Sequence, residues 1–299
     1  MTLPDWRAEL VVDERLARRL LGQFPELEIE SLRPFAQGWD YTIWLVNEEW
    51  AFRFPRREVA VSGVRREIAV LPELAPLLPL PVPAPVFVGE PADGFPWPFF
   101  GSALLPGREL GEAALGEPAR VEIGRSLARF LRRLHDAEVP HDLPADVNRR
   151  ADMRARVPKA REQLRDLEAA GIWRRPAAVE QLLESAEELP APAAAAVVHG
   201  DLHFRQVLVS DDETPTGVID WVDVCRSDPA IDLSMLWSYL PPEGRDVFLA
   251  EYGPVGEEQL LRARVVALSL SAALAHYGHA EGFPAVADEA LSGLSRITE

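Results

Sequence analysis

Residues 197–209 and 217–221 constrain this chain more than any other part of it. Val197-Val198 and Val207-Leu208-Val209 are short β-branched runs, and each reads as a strand. Between them stand His199, Gly200, Asp201, Leu202, His203, Phe204, Arg205 and Gln206, more polar chemistry than a plain turn requires. Gly217-Val218-Ile219-Asp220-Trp221 is another short strand that ends in a carboxylate. Asp201 and Asp220 lie 19 residues apart, enough for two antiparallel strands and a turn over 211–216 to bring them close. Close carboxylates beside the Gln206 amide make an oxygen-rich site suited to Mg²⁺.

These residues carry a resemblance. His199-Gly200-Asp201-Leu202 followed by Gln206 resembles the catalytic loop of the kinase superfamily, H-x-D-L-x-x-x-N. Ile219-Asp220-Trp221 resembles its metal-binding D-F-G. The H-G-D-L-H form, with Asp228-Pro229-Ala230-Ile231-Asp232-Leu233 after it, is similar to the aminoglycoside phosphotransferase family, which includes macrolide and other small-molecule kinases. The resemblance covers most of the chain. It implies an α+β, protein-kinase-like fold in two lobes: a β-rich nucleotide-binding N-lobe with one main helix over 1–104, and a mainly helical catalytic and substrate-binding lobe over 105–299.

The same resemblance implies roles. Asp201 would accept or orient the acceptor hydroxyl, and Asp220 and Gln206 would hold Mg²⁺ against the phosphates of ATP or GTP. Gln206 departs from the family's Asn by one methylene. Gly38, in Gln37-Gly38-Trp39-Asp40, matches the loop that covers the nucleotide, where backbone N–H groups approach phosphate closely. Arg53 stands where protein kinases place the phosphate-holding Lys, and Glu67 on the next helix is its natural partner. Ser102 and Leu104 fall on the hinge strand that would meet the base. His203 has two readings, a bond to a phosphate or substrate oxygen, or a structural place in the loop. Asp223 would meet a substrate amine. Asp228 and Asp232 read as caps that brace Asp201 or Arg205. His135 reads as a structural residue at a helix end.

Composition narrows the class. The chain has 299 residues and a net charge of −17, which argues against nucleic acid or an anionic membrane as partner. Residues 1–104 hold 15 acids and 10 bases, net −5, and the remainder 33 and 21, net −12. That acidic half suits an amine-bearing substrate, and equally an ordinary solvated surface. Lys159 is the single lysine against 30 arginines, and no Walker G-x-x-x-x-G-K-[ST] loop occurs, which removes the P-loop class. No apolar run reaches the ~18 residues of a membrane span. The opening lacks a basic-then-apolar signal, and Cys225 stands alone, so a reducing cytoplasm and a monomer or weak dimer are expected.

Periodicity places the remaining elements. Helices are expected over 5–22, 59–74, 121–139, 159–170, 177–189, 230–240, 244–252 and 257–277, and residues 285–297 close the fold. Strands are expected over 29–36, 41–46, 50–54, 86–89 and 99–105. The acceptor stays open between an aminoglycoside- or macrolide-type antibiotic and a metabolite such as a sugar, amino alcohol or amino acid. The rival class is a non-catalytic nucleotide-binding pseudokinase, motivated by Arg53 and Gln206.

Overall fold

The computed structural model describes residues 8–38, 40–92, 94–192 and 196–298. The chain divides into two compact units, Met1–Pro76 with Val82–Leu105, and Leu77–Pro81 with Pro106–Glu299.

The first unit is built on an antiparallel sheet. Helix α1 (Glu14–Leu21) precedes strands β1 (Leu32–Gln37), β2 (Tyr41–Val46) and β3 (Trp50–Pro55). Helix α2 (Glu58–Leu74) follows, then β4 (Pro85–Gly89) and β5 (Phe99–Ala103), in the sheet order β1-β2-β3-β5-β4. Asn47 and Glu48, both at positive φ, make the tight β2–β3 turn, with the Glu49 N–H donating to Val46 O at 3.0 Å. The core is aromatic: Phe54 stacks on Phe99 at 4.8 Å between centroids, and Phe52, Phe95 and Trp44 are buried beside them. Each such ring removes 150–250 Å² from water, roughly 25 cal/mol per Å² of its apolar part, so the sheet is held chiefly by this layer.

The opening helix is shorter than expected. It begins at Glu14, because Asp13 caps it by accepting from the Leu16 N–H at 2.8 Å. Val12 ahead of the cap is buried, and its carbonyl accepts from Trp44 Nε1. Tertiary packing, not helix periodicity, claims that stretch.

In the second unit a short β6 (Arg108–Glu109) leads to α3 (Glu117–His135), α4 (Met153–Ala169) and α5 (Ala177–Glu187). Strands β7 (Ala196–Val198), β8 (Val207–Val209), β9 (Pro215–Val218) and β10 (Cys225–Ser227) carry the polar loops. β7 pairs antiparallel with β10, and β8 lies between β6 and β9. A 3₁₀ helix over Pro229–Ser234 runs into α6 (Met235–Ser238), followed by α7 (Pro242–Tyr252), α8 (Glu257–Glu281) and α9 (Pro284–Thr298). α8 packs against α4 and α9, and α3 packs against α7. Leu77–Pro81 joins this unit because Val218 N–H donates to Pro81 O at 2.9 Å.

Two expected helices differ. The stretch over 230–240 is not one α-helix: Asp228 accepts from the Ala230 N–H at 2.9 Å and starts a tighter 3₁₀ turn, so only Met235–Ser238 is α-helical. α4 starts at Met153 rather than Lys159, since Asp152 caps it through the Arg154 N–H, and Pro158 lies inside the helix. Among the described residues no helix is long and apolar enough to cross a membrane.

Candidate active site

The loop between β7 and β8 is fixed from beneath. The buried Asp232 carboxylate accepts the His199 N–H at 2.8 Å and the Gly200 N–H at 3.1 Å, one on each oxygen. Gly200 has φ +91°, and a Cβ there would stand 2.3 Å from the Asp223 carbonyl oxygen, so only glycine fits. His199 Nε2 pairs with Ile219 O at 2.9 Å while its Nδ1 faces the Asp201 N–H at 3.4 Å, which places the proton on Nε2. Its ring packs on Trp221, fully buried, at 4.7 Å. Loss of so large a buried side chain costs about 3–5 kcal/mol, so the loop rests on a rigid floor.

The β8–β9 hairpin joins Gln206 to Asp220. Val207 is opposite Val218 in register, and Ile219 N–H donates to Gln206 O at 2.8 Å. Gln206 Nε2 then donates to Asp220 Oδ2 at 3.3 Å. Asp220 sits at φ +65°, a left-handed conformation uncommon outside glycine and a sign of local strain. Gln206 is buried and its Oε1 has no hydrogen-bond partner among the described residues. A buried orphan carbonyl beside a carboxylate is what a hard cation requires. Among the described residues no group of three His, Cys, Asp or Glu side chains is placed to hold a metal ion by itself. Mg²⁺ suits that sparse donor set, because it takes one or two protein oxygens and keeps phosphate and water for the rest.

Asp201, part-buried, stands on the same loop. Its Oδ1 lies 3.3 Å from Arg150 Nη2, which also meets Asp223 Oδ2 at 2.9 Å. Asp146 lies 3.8 Å from Arg150 Nη1. Burial pushes the Asp201 carboxyl up, but Arg150, with His203 and His199, outweighs it and leaves the group below its usual range. Burial drives His203 down to about 4, so its ring is neutral near pH 7. His203 Nδ1 accepts from the Arg205 N–H at 3.2 Å. Asp223 has both oxygens engaged, Oδ1 by Asn148 Nδ2 at 3.3 Å and Oδ2 by Arg150.

In the first unit Arg53 and Glu67 meet. Arg53 Nη1 lies 3.3 Å from Glu67 Oε1, both side chains buried, and Glu67 Oε2 accepts from Tyr41 Oη at 2.6 Å. The guanidinium stands over Phe100 at 5.6 Å, and its buried Nε has no partner among the described residues. Gly38 N–H donates to Tyr41 O at 2.9 Å, its carbonyl accepts from Arg56 Nη1, and a Cβ would meet nothing within 4 Å. Trp39, in the same loop, lies outside the described residues. Ser102 is paired on both sides, to Ala51 and Pro85, with its buried Oγ unpartnered. The Leu104 N–H is already given to Glu49 O at 2.7 Å.

The expected braces and the structural histidine find specific partners, and other relationships carried no signal in the sequence. Asp232 holds the catalytic-type loop by its backbone, not Arg205, which pairs with Glu109 at 2.9 Å instead. Asp228 caps the 3₁₀ turn as expected and also accepts from Gln259 Nε2 at 2.7 Å. His135 bonds no carbonyl: its Nε2 meets Asp232 Oδ2 at 3.1 Å and its Nδ1 meets Tyr252 Oη at 2.8 Å. Arg150, Asn148 and Tyr41 sit in stretches whose pattern says only loop or strand.

A sheet-bearing unit followed by a helical unit, with an H-G-D loop and an I-D-W hairpin end, defines a kinase-like phosphotransferase. The chain belongs to the phosphotransferase enzyme family, whose model matches residues 31–264, and is thus an enzyme that passes a phosphoryl group to a hydroxyl. Its fold is similar to that of the GDP and kanamycin complex of APH(2")-IIia, at 22% identity, 95% of this chain and 98% of that one, TM-score 0.67. It is also similar to the apoenzyme of macrolide 2'-phosphotransferase MphH from Brachybacterium faecium, at 22% identity, 92% and 96% coverage, TM-score 0.61. The streptomycin-ATP-APH(2")-IIa ternary complex matches at 20% identity, 96% of both chains, TM-score 0.56. No curated protein sequence matches the chain.

Proposed function

We propose that this protein is a small-molecule kinase that moves the γ-phosphoryl of ATP or GTP to a hydroxyl of a soluble acceptor. The observation that supports it most is the buried Gln206 Oε1, without a partner among the described residues, beside the Asp220 carboxylate. In this reading Asp220 and Gln206 hold Mg²⁺, which when bound neutralises phosphate charge. Arg53, kept in place by Glu67, meets nucleotide phosphate through its unpartnered Nε, as Arg forks suit phosphate oxygens. The Gly38 N–H is given to Tyr41 O, so what Gly38 would offer the phosphates is the space its missing Cβ leaves, and the segment of Ser102 and Leu104 meets the base. The base-meeting group there is not the Leu104 N–H, which Glu49 holds.

Asp201 orients the acceptor hydroxyl. The hydroxyl oxygen bonds to γ-phosphorus, the bond to the β-bridging oxygen breaks, the nucleoside diphosphate leaves, and the hydroxyl proton passes to Asp201. The transition state is loose, so the proton moves late and orientation outweighs base strength. Such help is worth roughly 10²–10⁴ in rate.

For the acceptor, the aminoglycoside- or macrolide-type antibiotics named in the structural relatives come first. One observation favours the second reading, a metabolite acceptor: both oxygens of Asp223, the expected amine receiver, are engaged by Asn148 and Arg150. We place the enzyme in the cytoplasm, as a monomer or weak dimer that needs neither nucleic acid nor membrane.

A panel of aminoglycosides, macrolides, sugars, amino alcohols and hydroxy amino acids, each with ATP or GTP and Mg²⁺ and scored by nucleoside-diphosphate release, tests the proposal. Turnover on one class that Asp201→Ala abolishes supports it. Release that Asp201→Ala leaves intact, or no acceptor-dependent release at all, refutes it and favours the pseudokinase.

A further inference from the structure

Asp201 is not a free carboxylate. Arg150 reaches it from the segment that precedes α4, 51 positions earlier in the chain. One nitrogen, Nη2, spans Asp201 Oδ1 at 3.3 Å and Asp223 Oδ2 at 2.9 Å. The Arg150 side chain is 16% exposed, while those of Asp201 and Asp223 are 32% and 25% exposed. The cation is therefore the inner member and the carboxylates the outer ones.

The segment itself is held. Asp146 accepts the backbone N–H of Arg150, and Arg156 Nε donates to the Arg150 carbonyl at 3.2 Å. Asn148 binds the other oxygen of Asp223 at 3.3 Å. A side chain so fixed at backbone, carbonyl and guanidinium has little rotamer freedom left, so its charge is preorganised rather than recruited.

We propose that Arg150 is a positioning residue for the acceptor hydroxyl: it binds Asp201 Oδ1 and Asp223 together, so that Asp201 offers only Oδ2 to the acceptor. The inference rests on the reading of Asp201 as the residue that meets the hydroxyl. It has a consequence for specificity. Asp223 is spent on the bracket, so amine recognition passes to other groups, and the acceptor is chosen by where its hydroxyl falls rather than by a charge at Asp223. Among the described residues the charged and titratable groups that act on Asp201 include Arg150, His203 and His199, with Arg156 and Lys159 of α4 further out and Asp223 and Asp146 acting through Arg150.

The experiment compares wild type, Arg150→Met and Arg150→Lys in the full-length protein, with the acceptor that the panel identifies. Arg150→Met is expected to lower kcat by about 10²-fold, the scale of a misplaced reacting group, at an unchanged nucleotide KM. The acid limb of its kcat–pH profile moves to higher pH. Arg150→Lys keeps the limb near wild type and recovers part of kcat. Carboxyl ¹³C NMR of Asp-labelled protein, assigned with Asp201→Asn, reads the same relationship without turnover. The Asp201 midpoint is expected to rise by about one unit or more in Arg150→Met, as for loss of a neighbouring cation. Unchanged kcat with an unmoved acid limb overturns the proposal, and so does an unmoved Asp201 midpoint whatever the activity. If no acceptor is phosphorylated, the kinase reading fails by itself while the NMR midpoint still decides the bracket. Arg150→Gln, nearer in shape, replaces Arg150→Met if the latter does not fold.

Discussion

Gly200 and Asp223 are interlocked: a single methyl on Gly200 would collide with the Asp223 carbonyl at 2.3 Å. The close approach packs the turn that carries Asp201 directly against the segment after Asp220. Gly200→Ala also forces alanine into φ +91°, a strain of about 1–2 kcal/mol before any clash. We expect the variant to lose acceptor phosphorylation and to melt earlier. Gly171, at φ +69° with nothing within 4 Å, is the control, since Gly171→Ala adds strain without a clash. Comparable turnover in the two variants would contradict the interlock.

Arg53 and Glu67 form a buried ion pair whose separate loss should differ from its joint loss. Arg53→Met leaves a fully buried carboxylate without its cation, an arrangement that costs about 3–5 kcal/mol. The double variant Arg53→Met/Glu67→Leu removes both charges and should recover part of that loss, with a coupling of about 0.5–3 kcal/mol. Urea unfolding of the four proteins measures it. Additive effects would show that the pair does not interact as its geometry implies. Nucleotide KM should rise in both Arg53 variants.

His203 makes the protein sensitive to acid. Its free value of 6.5 falls to about 4 on folding, because burial disfavours the imidazolium. Between those values the unfolded chain binds a proton that the folded chain does not, so stability rises with pH across the window. It is fully present above about pH 6.5 and lost as pH falls toward 4, by no more than about 3 kcal/mol. His203→Asn should flatten melting temperature between pH 4 and 6.5, relative to wild type. A parallel slope in the two proteins would place the acid sensitivity elsewhere.

Cys225 should be inert in the native state. It is 3% exposed, and burial, aided by Asp146 and Asp232, pushes its thiol up to about 12. A thiol reagent at pH 8 is expected to label it only after denaturation. Rapid native labelling would mean that β10 opens locally.

The residue types of the site were legible because each is bound to a local pattern. A short apolar run, a polar loop and a second run specify strand, turn and strand within a dozen residues, and the hairpin after Gln206 has no other way to close. That places Gln206 against Asp220, whereas the pairing of Glu67 with Arg53 was legible only through the resemblance to kinases. The opening helix was overextended because leucine spacing says nothing about a cap at Asp13 or a pocket for Val12. The 230–240 helix was overextended because Asp228 favours a 3₁₀ start that apolar periodicity does not encode.

Sequence alone carried the H-G-D-L and I-D-W motifs whose resemblance implies phosphoryl chemistry, and the loop and hairpin that hold them are set by contacts between near neighbours in the chain. Tertiary structure alone decided how Asp201 is held. Arg150 to Asp201, His135 to Tyr252 and Tyr41 to Glu67 are pairings across 51, 117 and 26 positions. Such pairings depend on how helices pack and where loops return, and no periodicity along the chain records that.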